Sequence, residues 1–155
     1  LSIISNGTLL NEQKWLLLEE INAKKITINI SVDAASKGTY EKIRRFGNWE
    51  RLNNNLAMLG EKRAQKKLYR FIANFVIMKS NVHEMCRFVE RAKEWNCDAV
   101  NFWKIYDLEF CEPENFFKNK EKHYLRILAE CLNDPIMNSK KPEVKADHLA
   151  EYKEL

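Results

Sequence analysis

The chain has 155 residues, 45% hydrophobic and 31% charged, with a formal net charge of +4 at pH 7. This length and balance suit one domain with a real core. They speak against a membrane-spanning protein, since no apolar run approaches the roughly 18 residues a span needs, and no signal-peptide pattern is visible. The basic residues are scattered over helix faces, with modest clusters at 62–67 and 118–122. No nucleic-acid partner is expected, because such a surface needs a coherent basic stripe.

Residues 1–5, LSIIS, read as a short apolar strand, and Asn6-Gly7-Thr8 as a turn at its end. Gly7 permits a backbone angle that other residues resist. Asn11 or a close neighbour opens a helix to about Ala23. Trp15, Leu18 and Ile21 recur at three-residue intervals, with Leu16 and Leu17 widening the apolar face.

Residues 26–33 alternate strictly. Ile26, Ile28, Ile30 and Val32 point one way, and Thr27, Asn29, Ser31 and Asp33 the other, which is a strand signal rich in β-branched side chains. The polar side chains are short and end in Ser31 and Asp33 just where a helix begins. In parallel α/β architectures ligands bind at the carboxyl ends of strands, so both are candidates to line a site. The alternative is that they merely cap the following helix.

Ser36 or Thr39 caps that helix, which carries Tyr40 and Ile43 inward and ends near Phe46-Gly47. Asn48 caps a second helical stretch to about Gln65, with Leu52, Leu56 and Leu59 as its buried stripe. Residues 69–79 form a strand that is apolar on both faces, as in a central parallel strand covered by helices. Asn74 is the exception and must be hydrogen-bonded or face a ligand. Asn81 is read as the cap of a helix to about Asn96, with Met85, Phe88, Val89, Ala92 and Trp95 as its core face.

Residues 98–106 are the last clear strand. Asn101 interrupts it much as Asn74 interrupts its predecessor, a sign either of a shared polar interior or of asparagines satisfied by neighbouring backbone. Residues 113–119 then read as a loop, 121–132 as a helix with Tyr124, Leu125, Ile127, Leu128 and Cys131 inward, and the rest as a polar tail with a short helix from Asp147.

Strand followed by helix, four times over, predicts an α/β fold with a parallel sheet and right-handed crossovers. The pattern is compatible with an open doubly wound sheet or with an arc of a barrel. The four cysteines, Cys86, Cys97, Cys111 and Cys131, match no zinc or iron–sulfur spacing. Cys86 and Cys131 fall in amphipathic helices, as small buried hydrophobes do. Free thiols point to a reducing, cytoplasmic setting. His83, His123 and His148 are far apart and read as surface or capping residues, so neither metal ligands nor catalytic residues are expected.

SNGTLL after the first strand, ISVDAASKGTYEKIRR in the second unit, VIMKSNVHEM after the third strand and AVNFWKI in the fourth occur in an order and spacing that resembles the radical S-adenosylmethionine core. The resemblance covers about residues 1–107 and is nearest to the molybdenum-cofactor-synthesis and maturase branch. It implies a partial (β/α) barrel of about four parallel strand–helix units over 1–110, with 111–155 as a helical and loop extension packed on it. It implies a cofactor, S-adenosylmethionine, and a 4Fe-4S cluster held by a CxxxCxxC loop, which together yield a 5′-deoxyadenosyl radical for hydrogen abstraction.

By the same resemblance, this chain begins at the third strand of that core. CxxxCxxC occurs nowhere in these residues, and the accessory cysteines of the maturase branch are not visible. The chain is therefore expected to be a fragment that binds no cofactor and is inactive alone. Ser31 and Asp33 correspond to the strand end that approaches the cofactor ribose. Arg44 corresponds to an arginine that pairs with the cofactor carboxylate, with Arg45 as the register alternative. Asn6 corresponds to a turn at the rim, and Asn74, Val76, Phe102 and Trp103 to strands flanking the adenine. The alternative is a non-catalytic half-barrel that binds a nucleoside or a protein. A phosphate-binding barrel has no support, because no glycine-rich phosphate loop is present. The substrate cannot be read from these residues. An open first-strand edge predicts self-association through it, or disorder near Leu1.

Overall fold

The computed structural model describes residues 1–21 and 25–154; the expected helix end near Ala23 lies outside them. Five strands lie side by side in sequence order, every neighbouring pair parallel. They are β1 (Ser2–Ser5), β2 (Thr27–Ser31), β3 (Arg70–Ile77), β4 (Ala99–Lys104) and β5 (Glu143–Lys145). The order is what separates an arc of a barrel from a doubly wound sheet. It never reverses, so right-handed crossovers put every connecting helix on one side. The result is a β/α half-barrel with a convex, helix-covered face and an open concave one.

The alternation of β2 assigns its faces. Ile28 and Ile30 are fully buried under the helices, while Thr27, Asn29 and Ser31 stay partly exposed on the concave side. Phe71, Ala73 and Phe75 of β3 and Val100 and Phe102 of β4 continue the buried face. The helices over it are α1 (Glu12–Glu20), α2 (Lys37–Ile43), α3 (Trp49–Ala64), α4 (Met85–Glu94) and α5 (Lys122–Asn133). Asn11, Ser36 and Asn48 cap α1, α2 and α3, each side chain accepting from a backbone N–H three residues on. Phe75, Phe88 and Phe102 meet at ring-centroid distances of 4.8–6.2 Å. Gly60 marks the closest backbone approach, since a Cβ there would lie 2.3 Å from the Trp95 carbonyl oxygen.

Two expectations need correction. α1 does not bury a broad apolar face. Trp15 is buried and Leu18 packs on the core, but Leu16, Leu17 and Ile21 are exposed because none of the described residues covers that flank. Asn81 does not cap a helix with its side chain; it is wholly buried and serves the loop beneath the sheet's carboxyl-terminal rim, as described below. The extension after residue 110 packs on the barrel. It adds Phe116, Leu125, Leu128, Leu132 and Leu149 to the same core and contributes β5.

The two sheet edges differ. β1 carries Ile4, 77% exposed, and the loop after it carries exposed Leu9. β5 is three residues long and presents Glu143 and Lys145, a short charged edge of the kind that discourages further pairing. In the basic cluster at 62–67, Lys62 pairs with Glu12, Arg63 with Asp98 and Lys67 with Glu19. No helix among the described residues is long and apolar enough to cross a membrane.

Candidate functional site

The concave face carries one polar row. Ser31 on β2 is in register with Asn74 on β3, Asn74 with Asn101 on β4, and Asn101 with Lys145 on β5. Partners in a parallel register project to the same face, so the four side chains cross the sheet at one level. The two asparagines meet: Asn101 Nδ2 donates to Asn74 Oδ1 at 2.9 Å. This is the shared polar interior that the sequence left as one of two possibilities. One level nearer the rim, Val76 is in register with Trp103. Trp103 is 51% exposed and stacks on His148 at 5.7 Å between centroids. Phe102, by contrast, lies in the core and faces the helices.

Asp33 sits just past the end of β2 in the left-handed region, at φ 64°, which a short polar residue tolerates better than most. The turn aims its carboxylate back at β3. Oδ1 accepts from Val76 N at 2.8 Å, and Oδ2 accepts from Arg44 Nη2. Val32 N and Asp33 N both donate to the Asn74 carbonyl oxygen, at 3.1 and 3.4 Å. Asp33 thus ties the end of β2 to β3 and holds Arg44 at the rim. It is only 3% exposed. Burial pushes its pKa up, outweighing the Arg44 charge and the Val76 hydrogen bond.

Arg44 follows α2, and its guanidinium spans Asp33 and the Ser31 carbonyl oxygen, the latter at 3.4 Å. Its Nε is buried and has no hydrogen-bond partner, while a third of the side chain is exposed. The structure therefore brings Ser31, Asp33, Arg44 and Asn74 together. Arg45 is exposed and plays no part. Asn6 is not brought in. Its Oδ1 accepts from Thr8 N and Thr8 Oγ1 at 3.1 and 2.8 Å and closes its own turn.

Two supporting residues have no counterpart among the sequence expectations. Asn81 Nδ2 donates to the carbonyl oxygens of Asp33 and Val76 at 2.9 and 2.8 Å, and its Oδ1 accepts from Met78 N at 2.7 Å. It thus pins the strained Asp33 turn. Glu84, also buried, accepts from Ala35 N at 2.7 Å, Ser36 Oγ at 2.5 Å and Thr39 Oγ1 at 2.9 Å. It fixes the start of α2 and through it the approach of Arg44. No local sequence pattern signals either role, because Asp33 and Ala35, which they serve, lie 48 and 49 residues away in the chain.

Lys145 of the row was missed because β5 is too short and too charged to show a period. Among the described residues no group of three or more His, Cys, Asp or Glu side chains is placed to hold a metal ion. In chemical terms the site offers hydroxyl and amide groups across a shallow face, an exposed indole, and a rim guanidinium with N–H groups to spare. The chain matches no protein-family model and no curated protein.

Proposed function

We propose that this chain is the carboxyl-terminal arc of a radical S-adenosylmethionine enzyme, and that the cofactor binds at the carboxyl-terminal rim of the concave face. The observation that carries the proposal is the convergence of Ser31 at the end of β2, Asn74 beside it on β3 and the Asp33-held Arg44, inside an arc whose strand order never reverses. The resemblance of SNGTLL, ISVDAASKGTYEKIRR, VIMKSNVHEM and AVNFWKI to that core, which first singled these residues out, points the same way.

The residues fit parts of such a cofactor. The Ser31 hydroxyl both donates and accepts, as a ribose requires. Arg44, with a buried Nε that lacks a partner, suits a carboxylate. Asp33 acts at one remove: its oxygens serve Val76 N and Arg44, so it orients the guanidinium. Asn74 and Asn101 hold each other and leave further amide groups toward the concave face. Trp103 offers a planar apolar surface. In the proposed enzyme, bound S-adenosylmethionine supplies the hydrogen-abstracting group once it receives an electron.

The cluster is a different matter. The chain has no CxxxCxxC and no metal-binding group among its described residues. These residues do not fit a cluster, and the proposal gives them no part in holding one. The same row of hydroxyl and amide groups also suits a nucleoside that carries no sulfonium, which supports a second reading, a half-barrel that binds a nucleoside or a protein without chemistry.

The test is calorimetric titration with S-adenosylmethionine, in a protein that joins this chain to a cluster-bearing part. Ser31→Ala is expected to weaken binding about fivefold, roughly the 1 kcal/mol of one lost hydrogen bond, and Arg44→Ala by more. Unchanged affinity in both removes these residues from a cofactor site. Binding of adenosine by this chain alone, equally tight with or without the sulfonium cofactor present elsewhere, favours the second reading.

A further inference from the structure

The start of α4 meets the end of α5 through two cysteines. The Cys86 thiol donates to the Cys131 carbonyl oxygen at 3.7 Å. The Cys131 thiol donates to the Val82 carbonyl oxygen at 3.6 Å, one turn before Cys86. These two hydrogen bonds set each cysteine against the other's stretch of backbone. The proximity of Cys86, side chain and backbone, draws the Cys131 thiol below its ordinary pKa against the opposing effects of burial, Asp134 and Glu130. Cys86 is pushed well up by the same contact, by burial and by Asp134 and Glu90. Both residues are partly exposed. Cys97 is buried in the core, and Cys111 lies in the separate 3-10 segment Glu109–Glu114.

We propose that Cys86 and Cys131 are a redox modification site that closes an intramolecular disulfide, with a low-molecular-weight disulfide as oxidant. The Cys131 thiolate attacks one sulfur of the small disulfide, forming a mixed disulfide and releasing one small thiolate. Cys86 then loses its proton, attacks the Cys131 sulfur and displaces the second small thiolate. Two protein thiols are oxidised, and one small disulfide is reduced to two small thiols. The bond joins the tail to the unit of β3 and α4. It clamps α5, which precedes the β5 strand that brings Lys145 to the concave row.

This inference does not depend on the proposed cofactor. The whole chain is incubated with oxidised glutathione, unfolded, alkylated with iodoacetamide and mapped by mass spectrometry. The expected result is a linked Cys86–Cys131 peptide, with Cys97 and Cys111 alone taking up the alkylating agent. The link closes a loop of 45 residues and is expected to raise Tm by about 5 °C or more. In Cys86→Ser the reaction is expected to stop at a glutathione adduct on Cys131. Alkylation of Cys86 and Cys131 in the treated wild type overturns the site, whether or not the variant folds. A link that leaves Tm unchanged overturns the clamp.

Discussion

Two aspartate–arginine pairs are built on the same plan at opposite ends of β3. At the amino-terminal end, Asp98 accepts from Phe71 N at 2.8 Å and from Arg63 through Nε and Nη2, at 2.6 and 2.8 Å. At the carboxyl-terminal end, Asp33 accepts from Val76 N and from a single guanidinium nitrogen of Arg44, whose Nε stays unpartnered. For Asp98, burial pulls the pKa up, but the Arg63 hydrogen bonds, Phe71 N and the charges of Arg63 and Lys141 together hold it below the ordinary value. For Asp33 burial wins and the pKa rises. The first pair is a two-pronged, satisfied clamp. The second is incompletely satisfied, and it stands at the rim where β/α barrels keep their chemistry, while the opposite end keeps stability.

The comparison breaks most clearly at Asp98. Asp98→Ala leaves the Arg63 guanidinium and Phe71 N without their acceptor, and is expected to cost about 3 kcal/mol. Urea denaturation checks this as a lower midpoint with an unchanged slope. A loss under about 1 kcal/mol would make the two ends alike.

Next in size is the pH dependence, which has opposite signs at the two ends. Folded Asp98 binds protons less readily than in the unfolded chain. Its stabilisation is therefore complete above the ordinary aspartate pKa and is lost as pH falls through its lowered folded value. Folded Asp33 binds protons more readily. Its cost is absent below the ordinary pKa and grows as pH rises through the raised folded value. Asp98→Asn is therefore expected to lose its deficit against wild type on acidification. Asp33→Asn is expected to gain on wild type as pH rises across the acidic range. Parallel stability curves for the two variants would refute the contrast.

The smallest effect is Asp33→Asn at neutral pH, expected within about 1 kcal/mol of wild type. The amide oxygen still accepts from Val76 N, and the cost of a buried charge disappears. The same substitution is expected to loosen Arg44, read as weaker binding of a carboxylate ligand at the rim.

Much of the frame was legible in the chain. The strict alternation over 26–33 assigned the faces of β2, and Ser31 lies on the concave side it predicted. The asparagines at 74 and 101 interrupted apolar strands because they share a hydrogen bond on that face. Other features depended on contacts that no local pattern records. Asn81 has the spacing of a helix cap, yet its amide serves Asp33 and Val76 across the loop. Leu16, Leu17 and Ile21 have the spacing of a buried stripe, yet they stay exposed because no element among the described residues lies over them.

By itself the sequence determined where the first four strands and their helices lie, which face of β2 is polar, and that these units run parallel, because period and capping are local consequences of side-chain chemistry. The tertiary structure alone decided that the strand order never reverses. It also turned Asp33 inward to hold Arg44, brought β5 and Lys145 to the end of the polar row, and set Cys131 beside Cys86. Each of these joins residues far apart in the chain, and such pairings are chosen by the packing of the whole core rather than by any stretch of it.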